Sequence, residues 1–146
     1  MPLRRAGIRS VDWAPLLIIL AVLAGSSKGF AQKEGPMMIR ISEIEIDPAS
    51  LDQYKEILKE EAGASVKVEP GVVAIFPMYQ RENPTQVRIL EIYASREAYE
   101  SHLQTPHFQR YKTTTLKMVK SLKLVDMESL DPQSMSLMFK KMQSAP

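Results

Sequence analysis

The two histidines of this chain, His102 and His107, stand five residues apart with Pro106 between them, and Glu91, Tyr93, Tyr99 and Tyr111 lie close by in sequence. The chain has no cysteine, so a thiol nucleophile, a thiolate metal site and a disulfide are all excluded. Proton transfer near neutral pH then falls to imidazole. His107 follows Thr105, a predicted helix N-cap, by two residues, and the positive end of that helix favours the neutral imidazole that a base requires. His102 reads either as a substrate contact or as a side chain that satisfies backbone groups at the helix junction. Glu91 sits on an apolar strand face between Ile89 and Tyr93. There a buried carboxylate suits proton handling. The competing reading is an ion pair with Arg88 or Arg110, or a contact between subunits. Tyr93, Tyr111 and Phe76 are candidates to orient an aromatic ligand by stacking and phenolic hydrogen bonds. As ordinary core aromatics they need no ligand, and that fits Phe76 better. The histidine pair lacks the i, i+4 spacing of a helical zinc motif and no third ligand is obvious, so no metal is expected. No Gly-rich phosphate loop or Gly-x-Ser-x-Gly elbow occurs, and Lys112, Lys117, Lys120 and Lys123 read as a solvated helix face.

Regular elements must position these groups. Residues 38–46 form an isoleucine-rich strand whose apolar phase shifts between Ile41 and Ile44, which predicts a bulge near Ser42 and Glu43. Asp47 and Pro48 give a helix its N-cap acceptor and first-turn proline. Leu51, Tyr54, Leu58 and Ala62 then recur at spacings of three and four as one buried stripe, with Asp52, Lys55, Glu56, Lys59 and Glu60 mostly outside it. Glu69-Pro70-Gly71 is a turn. Residues 72–80 are a nearly all-apolar strand in which Pro77 marks an edge or a bulge. A short polar loop leads to a third strand, 86–94, as in an antiparallel pair. Ser95 caps a helix over 96–103, Thr105 and Pro106 start another that runs to about Leu122, and 123–130 is the fourth strand.

The order strand–helix–strand–strand–helix–strand predicts an α+β, ferredoxin-like sandwich with both helices on one face of an antiparallel sheet. Val87, Ile89, Glu91 and Tyr93 share one side of the third strand, and Arg88, Leu90 and Ile92 the other. Both sides are substantially apolar, so a second copy packing sheet against sheet is the natural cover for whichever face the helices leave open. A sheltered chamber is expected to depend on that pairing.

Arg4, Arg5 and Arg9 precede an apolar run from Trp13 to Ala24, and Gly29 and Ala31 hold the −3 and −1 positions of a cleavage site. That is the layout of a secretory signal over 1–31, and the run is shorter than the roughly 20 residues of a spanning helix. An uncleaved N-terminal anchor is the other reading. Cleavage after Ala31 takes 31 of the 146 residues and leaves one domain's length for the periplasm or the exterior. The leader holds four of the 19 basic groups and one of the 17 acids, so the remainder is one unit negative. Nothing in that balance argues for nucleic acid. The main domain spans 37–130. In the tail, 131–146, Met135, Met138, Phe139 and Met142 fall at helical spacing as a stripe expected to dock.

Glu91-Ile92-Tyr93, the run Tyr99-Glu100-Ser101-His102-Leu103-Gln104-Thr105-Pro106-His107-Phe108, and Tyr111-Lys112 together resemble the antibiotic biosynthesis monooxygenase family, quinol monooxygenases above all. His-Leu-x-Thr-Pro-His-Phe is the most specific phrase. Glu69-Pro70-Gly71-Val72 and Ile44-Glu45-Ile46-Asp47-Pro48 also fit, so the resemblance covers about 38–128. It implies a ferredoxin-like protomer that dimerises into an α+β barrel. It also implies oxygenation of quinol-like or polycyclic phenolic substrates by O2 without flavin, haem or metal. Many members carry tryptophan where this chain has Tyr93. Haem-degrading relatives use a tryptophan–asparagine–histidine set, whereas here the only tryptophan is Trp13 in the leader and the first strand has no asparagine. The expected function is therefore a cofactor-independent monooxygenase. His107 would act as base with Glu91 and Tyr93, while His102, Tyr111 and Phe76 contact a small aromatic substrate in a homodimer. The alternative is a non-catalytic periplasmic module for a small apolar ligand, or a stress-linked structural dimer; a haem binder fits less well.

Overall fold

The computed structural model describes residues 36–144. The expected leader and cleavage point lie outside them, and among the described residues no helix is long and apolar enough to cross a membrane. Strand β1 (Met38–Ile46) leads through a short 3-10 turn (Pro48–Ser50) into helix α1 (Leu51–Val68). Strands β2 (Val72–Tyr79) and β3 (Gln86–Tyr93) follow, then helices α2 (Arg96–His102) and α3 (Pro106–Thr115), strand β4 (Val119–Met127) and helix α4 (Ser134–Ser144). The sheet order β2-β3-β1-β4, antiparallel throughout, is the expected ferredoxin-like α+β arrangement.

Local chemistry starts each element where it is needed. The Asp47 side chain accepts from the Ala49 N–H at 2.8 Å, so the turn into α1 begins at a satisfied cap. Ser95 caps α2 through the Ala98 N–H, and Thr105 caps α3 through the Phe108 N–H with Pro106 in the first turn. Pro77 falls on β2, an outermost strand, where a missing N–H is tolerated.

One boundary and one detail of register differ from expectation. The stretch assigned to the end of the second long helix is instead the start of β4: α3 stops at Thr115 and the strand begins at Val119. Three consecutive threonines, Thr113 to Thr115, are weak helix formers. The Thr115 hydroxyl also back-bonds to the Tyr111 carbonyl at 2.8 Å, and the sheet offers Val119 a partner in Ile46. Nor is there a bulge at Ser42. The register of β1 runs unbroken against β3, and its one shift, against β4, comes at Glu45 and Ile46. The apolar phase breaks because two inward positions, Arg40 and Ser42, are polar and still buried.

The core lies between the sheet and α1, built from Ile44, Ile46, Tyr54, Leu58, Val87 and Ile89, with Tyr93 beside them. The far side of the sheet carries Ile39 and Ile41, Leu90, and the more exposed Phe76, Met78 and Met127, open in the single chain. Helix α4 forms where the tail stripe predicts one, but Met138, Phe139 and Met142 are exposed, so the helix does not dock on its own domain.

Candidate functional site

The chemistry-bearing residues gather between the sheet and the helices. Alternation along β3 puts Val87, Ile89, Glu91 and Tyr93 on the helix-facing side, level with Arg40 and Ser42 of β1. The chamber expected behind the open face is therefore not where Glu91 points. Glu91 accepts hydrogen bonds from the Ser42 hydroxyl, at very short range, and from the Tyr93 hydroxyl at 2.8 Å. This corrects the ion-pair reading. Arg88 bonds instead to Gln86 and the Val87 carbonyl, and Arg110 pairs with Glu60 on the surface. Burial, and then the Glu91 carboxylate, lift the Tyr93 pKa far above the usual phenol range, so its hydroxyl stays a donor.

His102 and His107 converge because the chain breaks between them. His102 is the last residue of α2 and His107 the second of α3, so the proline junction folds their rings to 6.3 Å apart although no single helix holds both. Glu69, at the C-terminal end of α1, receives both: His107 Nε2 lies 2.5 Å and His102 Nδ1 3.0 Å from the same oxygen, Oε1. Burial opposes ionisation of Glu69, but the bonds from the two imidazoles prevail and hold its carboxyl below the ordinary range. An ionised carboxylate only accepts, which assigns an N–H to each of these nitrogens. The turn that delivers Glu69 depends on Gly71. A Cβ there would meet the Ala98 Cβ at 2.5 Å, so only glycine lets the turn pack this close to α2.

Behind His102 stands Glu61, with Oε1 3.6 Å from His102 Nε2; His102 and Glu61 are 3 % and 5 % exposed by side chain. Burial raises the Glu61 pKa, while the Ser65 hydroxyl at 2.8 Å and the imidazoles oppose the shift. Every buried side-chain polar atom among the described residues has a partner, as a low-dielectric network requires.

Aromatic rings connect the groups. Tyr93 lies 5.5 Å from His102, His102 4.8 Å from Phe108, and Phe108 6.2 Å from Tyr111, centroid to centroid. Tyr111 shares a 2.8 Å hydrogen bond with Tyr54, and burial pushes its pKa up to about 12. His107, 22 % exposed by side chain, is the most open of the three cluster residues. A hollow of about 40 Å³ between α1 and α3 is lined by His107, Tyr111, Glu61 and Arg110 among others. That is room for a water or a small group in the free chain. A larger hollow of about 310 Å³, with Lys55, Leu58, Pro77 and Tyr79 in its wall, has no histidine.

Of the residues singled out from sequence, His102, His107, Tyr93 and Tyr111 form one continuous series, and Glu91 joins it through Tyr93. Phe76 does not. It is 58 % exposed and opposite Leu90 on the far face of the sheet, so it is neither a core aromatic nor a wall of this site. Sequence reasoning missed Glu61, Glu69, Ser65, Arg40 and Ser42. Glu61 carried a signal, since it stands three residues after Leu58 on the buried stripe. Glu69 carried none beyond its place in a turn, and it supplies the third donor that the histidine pair was thought to lack.

The family model for antibiotic biosynthesis monooxygenase matches residues 37–114. A solved structure from Bacteroides thetaiotaomicron, provisionally named an antibiotic biosynthesis monooxygenase, is 47 % identical, with TM-score 0.66, over 66 % of this chain and 92 % of that one. One from Lactobacillus acidophilus, provisionally named a monooxygenase, is 29 % identical with TM-score 0.62, over 63 % of this chain and 44 % of that one. A third, from Nitrosomonas europaea, shares the fold at 22 % identity and TM-score 0.63, over 67 % and 94 %. No curated protein matches the sequence.

Proposed function

Because this chain belongs to the antibiotic biosynthesis monooxygenase family, we propose that it oxidises quinols or related hydroxylated aromatics with O2, unaided by a bound cofactor. Such a reaction needs a substrate that gives electrons to oxygen once deprotonated, a positioned base and shelter from water. In the balanced form, a quinol takes one oxygen atom onto its ring as a hydroxyquinone, and the other atom leaves as water.

The observation that carries this reading is the bond from His107 Nε2 to Glu69 at the lip of the hollow. It fixes the tautomer, leaving the lone pair on Nδ1 to take the phenolic proton while Glu69 stabilises the imidazolium that forms. Tyr111 and Phe108 offer aromatic surface beside it. Tyr93 and Glu91 lie deeper, and their bond to each other holds the wall in place. The hollow is small in the free chain, so a bicyclic substrate requires α1 and α3 to part, or admission through a second copy. Pairing of two chains across the open sheet face and export by the leader belong to the same proposal. The half-exposed apolar residues of that face support the first, and the signal-like composition of the leader supports the second.

The test is oxygen uptake with a menadiol-type quinol in chelated, metal-free buffer, above the autoxidation background. His107→Ala should lower kcat by about 100-fold or more, with the melting temperature little changed. Equal rates in the two proteins would remove His107 from the chemistry.

A further inference from the structure

We propose that Glu69, His102 and His107 form a site for a divalent first-row transition ion, and that occupancy withdraws His107 from proton abstraction. The first half stands on geometry alone; the second rests on the oxygenase reading above.

Three donors of the types that bind zinc, iron or manganese, two imidazole nitrogens and one carboxylate oxygen, lie within 4.8 Å of one another. The two ring nitrogens lie 2.5 and 3.0 Å from Glu69 Oε1. Ligand bonds of about 2.1 Å meeting near right angles place donor atoms about 3 Å apart, so a small outward movement of His107 opens the triangle to fit. Two histidines and one carboxylate on one side of an ion leave its other positions free. The hollow between α1 and α3, lined by His107 and Tyr111, gives those positions access to water or a small ligand.

The surroundings match what a liganding imidazole needs. A metal-bound histidine turns its other nitrogen to a carboxylate, which fixes ring and tautomer. Here His102 Nε2 faces Glu61, which Ser65 holds in turn. The donors come from the ends of three different helices, whose meeting is set by the Gly71 turn and the Pro106 junction, so the triangle is built by tertiary structure rather than by one flexible segment.

The consequence for His107 is tautomeric. Without an ion, its Nε2 donates to Glu69 and Nδ1 holds the lone pair. For an ion to bind Nε2, the proton there must move to Nδ1, so the Nε2 lone pair goes to the ion, Nδ1 carries N–H, and no proton acceptor remains. The ion and the base function compete for one imidazole.

The experiment uses the purified chain stripped with chelator, titrated with Co2+ by visible absorption and with Zn2+ by calorimetry. One equivalent per chain is expected, with ligand-field bands of low-symmetry Co2+. His107→Ala and Glu69→Gln should each weaken binding on the order of 100-fold, and Glu61→Gln, which loosens only the ring behind, about 10-fold. No binding, or binding that these variants leave unchanged, overturns the site. For the second half, Zn2+ at saturation should abolish quinol oxidation and chelator should restore it. Unchanged or increased turnover with Zn2+ bound overturns that half. A metal-free chain that binds Zn2+ but oxidises no quinol would sink the oxygenase reading and leave the ion site standing; active protein without Zn2+ affinity would do the reverse.

Discussion

The two faces of one sheet are built on opposite plans. Toward the helices, Arg40, Ser42, Glu61, Ser65 and His102 are all less than a tenth exposed, and all are held in hydrogen bonds or ion pairs. On the other face, Ile39, Ile41 and Leu90 are half-buried and Phe76 and Met78 exposed. A helix-covered layer made only of hydrocarbon would be simpler to stabilise, because each buried polar group has to be matched by a partner. Polar groups concentrated in the covered layer therefore mark where chemistry is sheltered. Apolar groups on the open layer are where the proposed second copy would be received. Under the proposed function, chemistry and association would fall on opposite sides, with one strand, β3, contributing alternate residues to each.

That division can be broken by substitution. The largest effect is expected on the open side: Phe76→Glu should weaken self-association by about 2 kcal/mol or more, roughly 30-fold in dissociation constant, measured by sedimentation. The folding stability of its domain should move by only about 0.5 kcal/mol. Association as tight as the original would mean that this face is not the meeting surface. On the covered side, Tyr93→Phe strips Glu91 of a donor where Tyr93 is 1 % exposed. It should cost about 1–3 kcal/mol in urea unfolding without altering the oligomeric state. A neutral result would show that Glu91 finds water or another partner and that the network is looser than its geometry. The smallest effect belongs to the outer surface of the helices. There Arg110→Ala removes an exposed pair with Glu60 and should shift stability by less than about 0.5 kcal/mol; a larger loss would extend the polar design beyond the buried layer.

Much of this was legible in the residues, and the limits have physical causes. Caps and prolines announced α2, α3 and the 3-10 turn that leads into α1, because Asp47, Ser95 and Thr105 act on the backbone beside them. Pro77 announced an outer strand for the same local reason. The imidazole pair was legible as types, but its geometry was not. His102 and His107 meet only because a junction bends between them, and Glu69 reaches them from the end of a helix more than thirty residues earlier. Such convergence depends on packing, to which spacing along the chain is blind. Ser42 was read as part of a bulge and Arg40 drew no notice, since apolar periodicity treats an inward polar residue as noise. Their partners Glu91 and Asp126 lie on neighbouring strands, and only the register reveals them.

The tail helix has a consequence of its own. Helix α4 is 11 residues long, a length at which an isolated helix is marginal in water, and Met138, Phe139 and Met142 on it stay exposed. No ladder of the sheet includes it. Trimming the chain just beyond Met127 would therefore leave all four strands and both histidines in place, so whatever the tail contributes is separable from the sheet and the candidate site and can be gained or lost by a single cut.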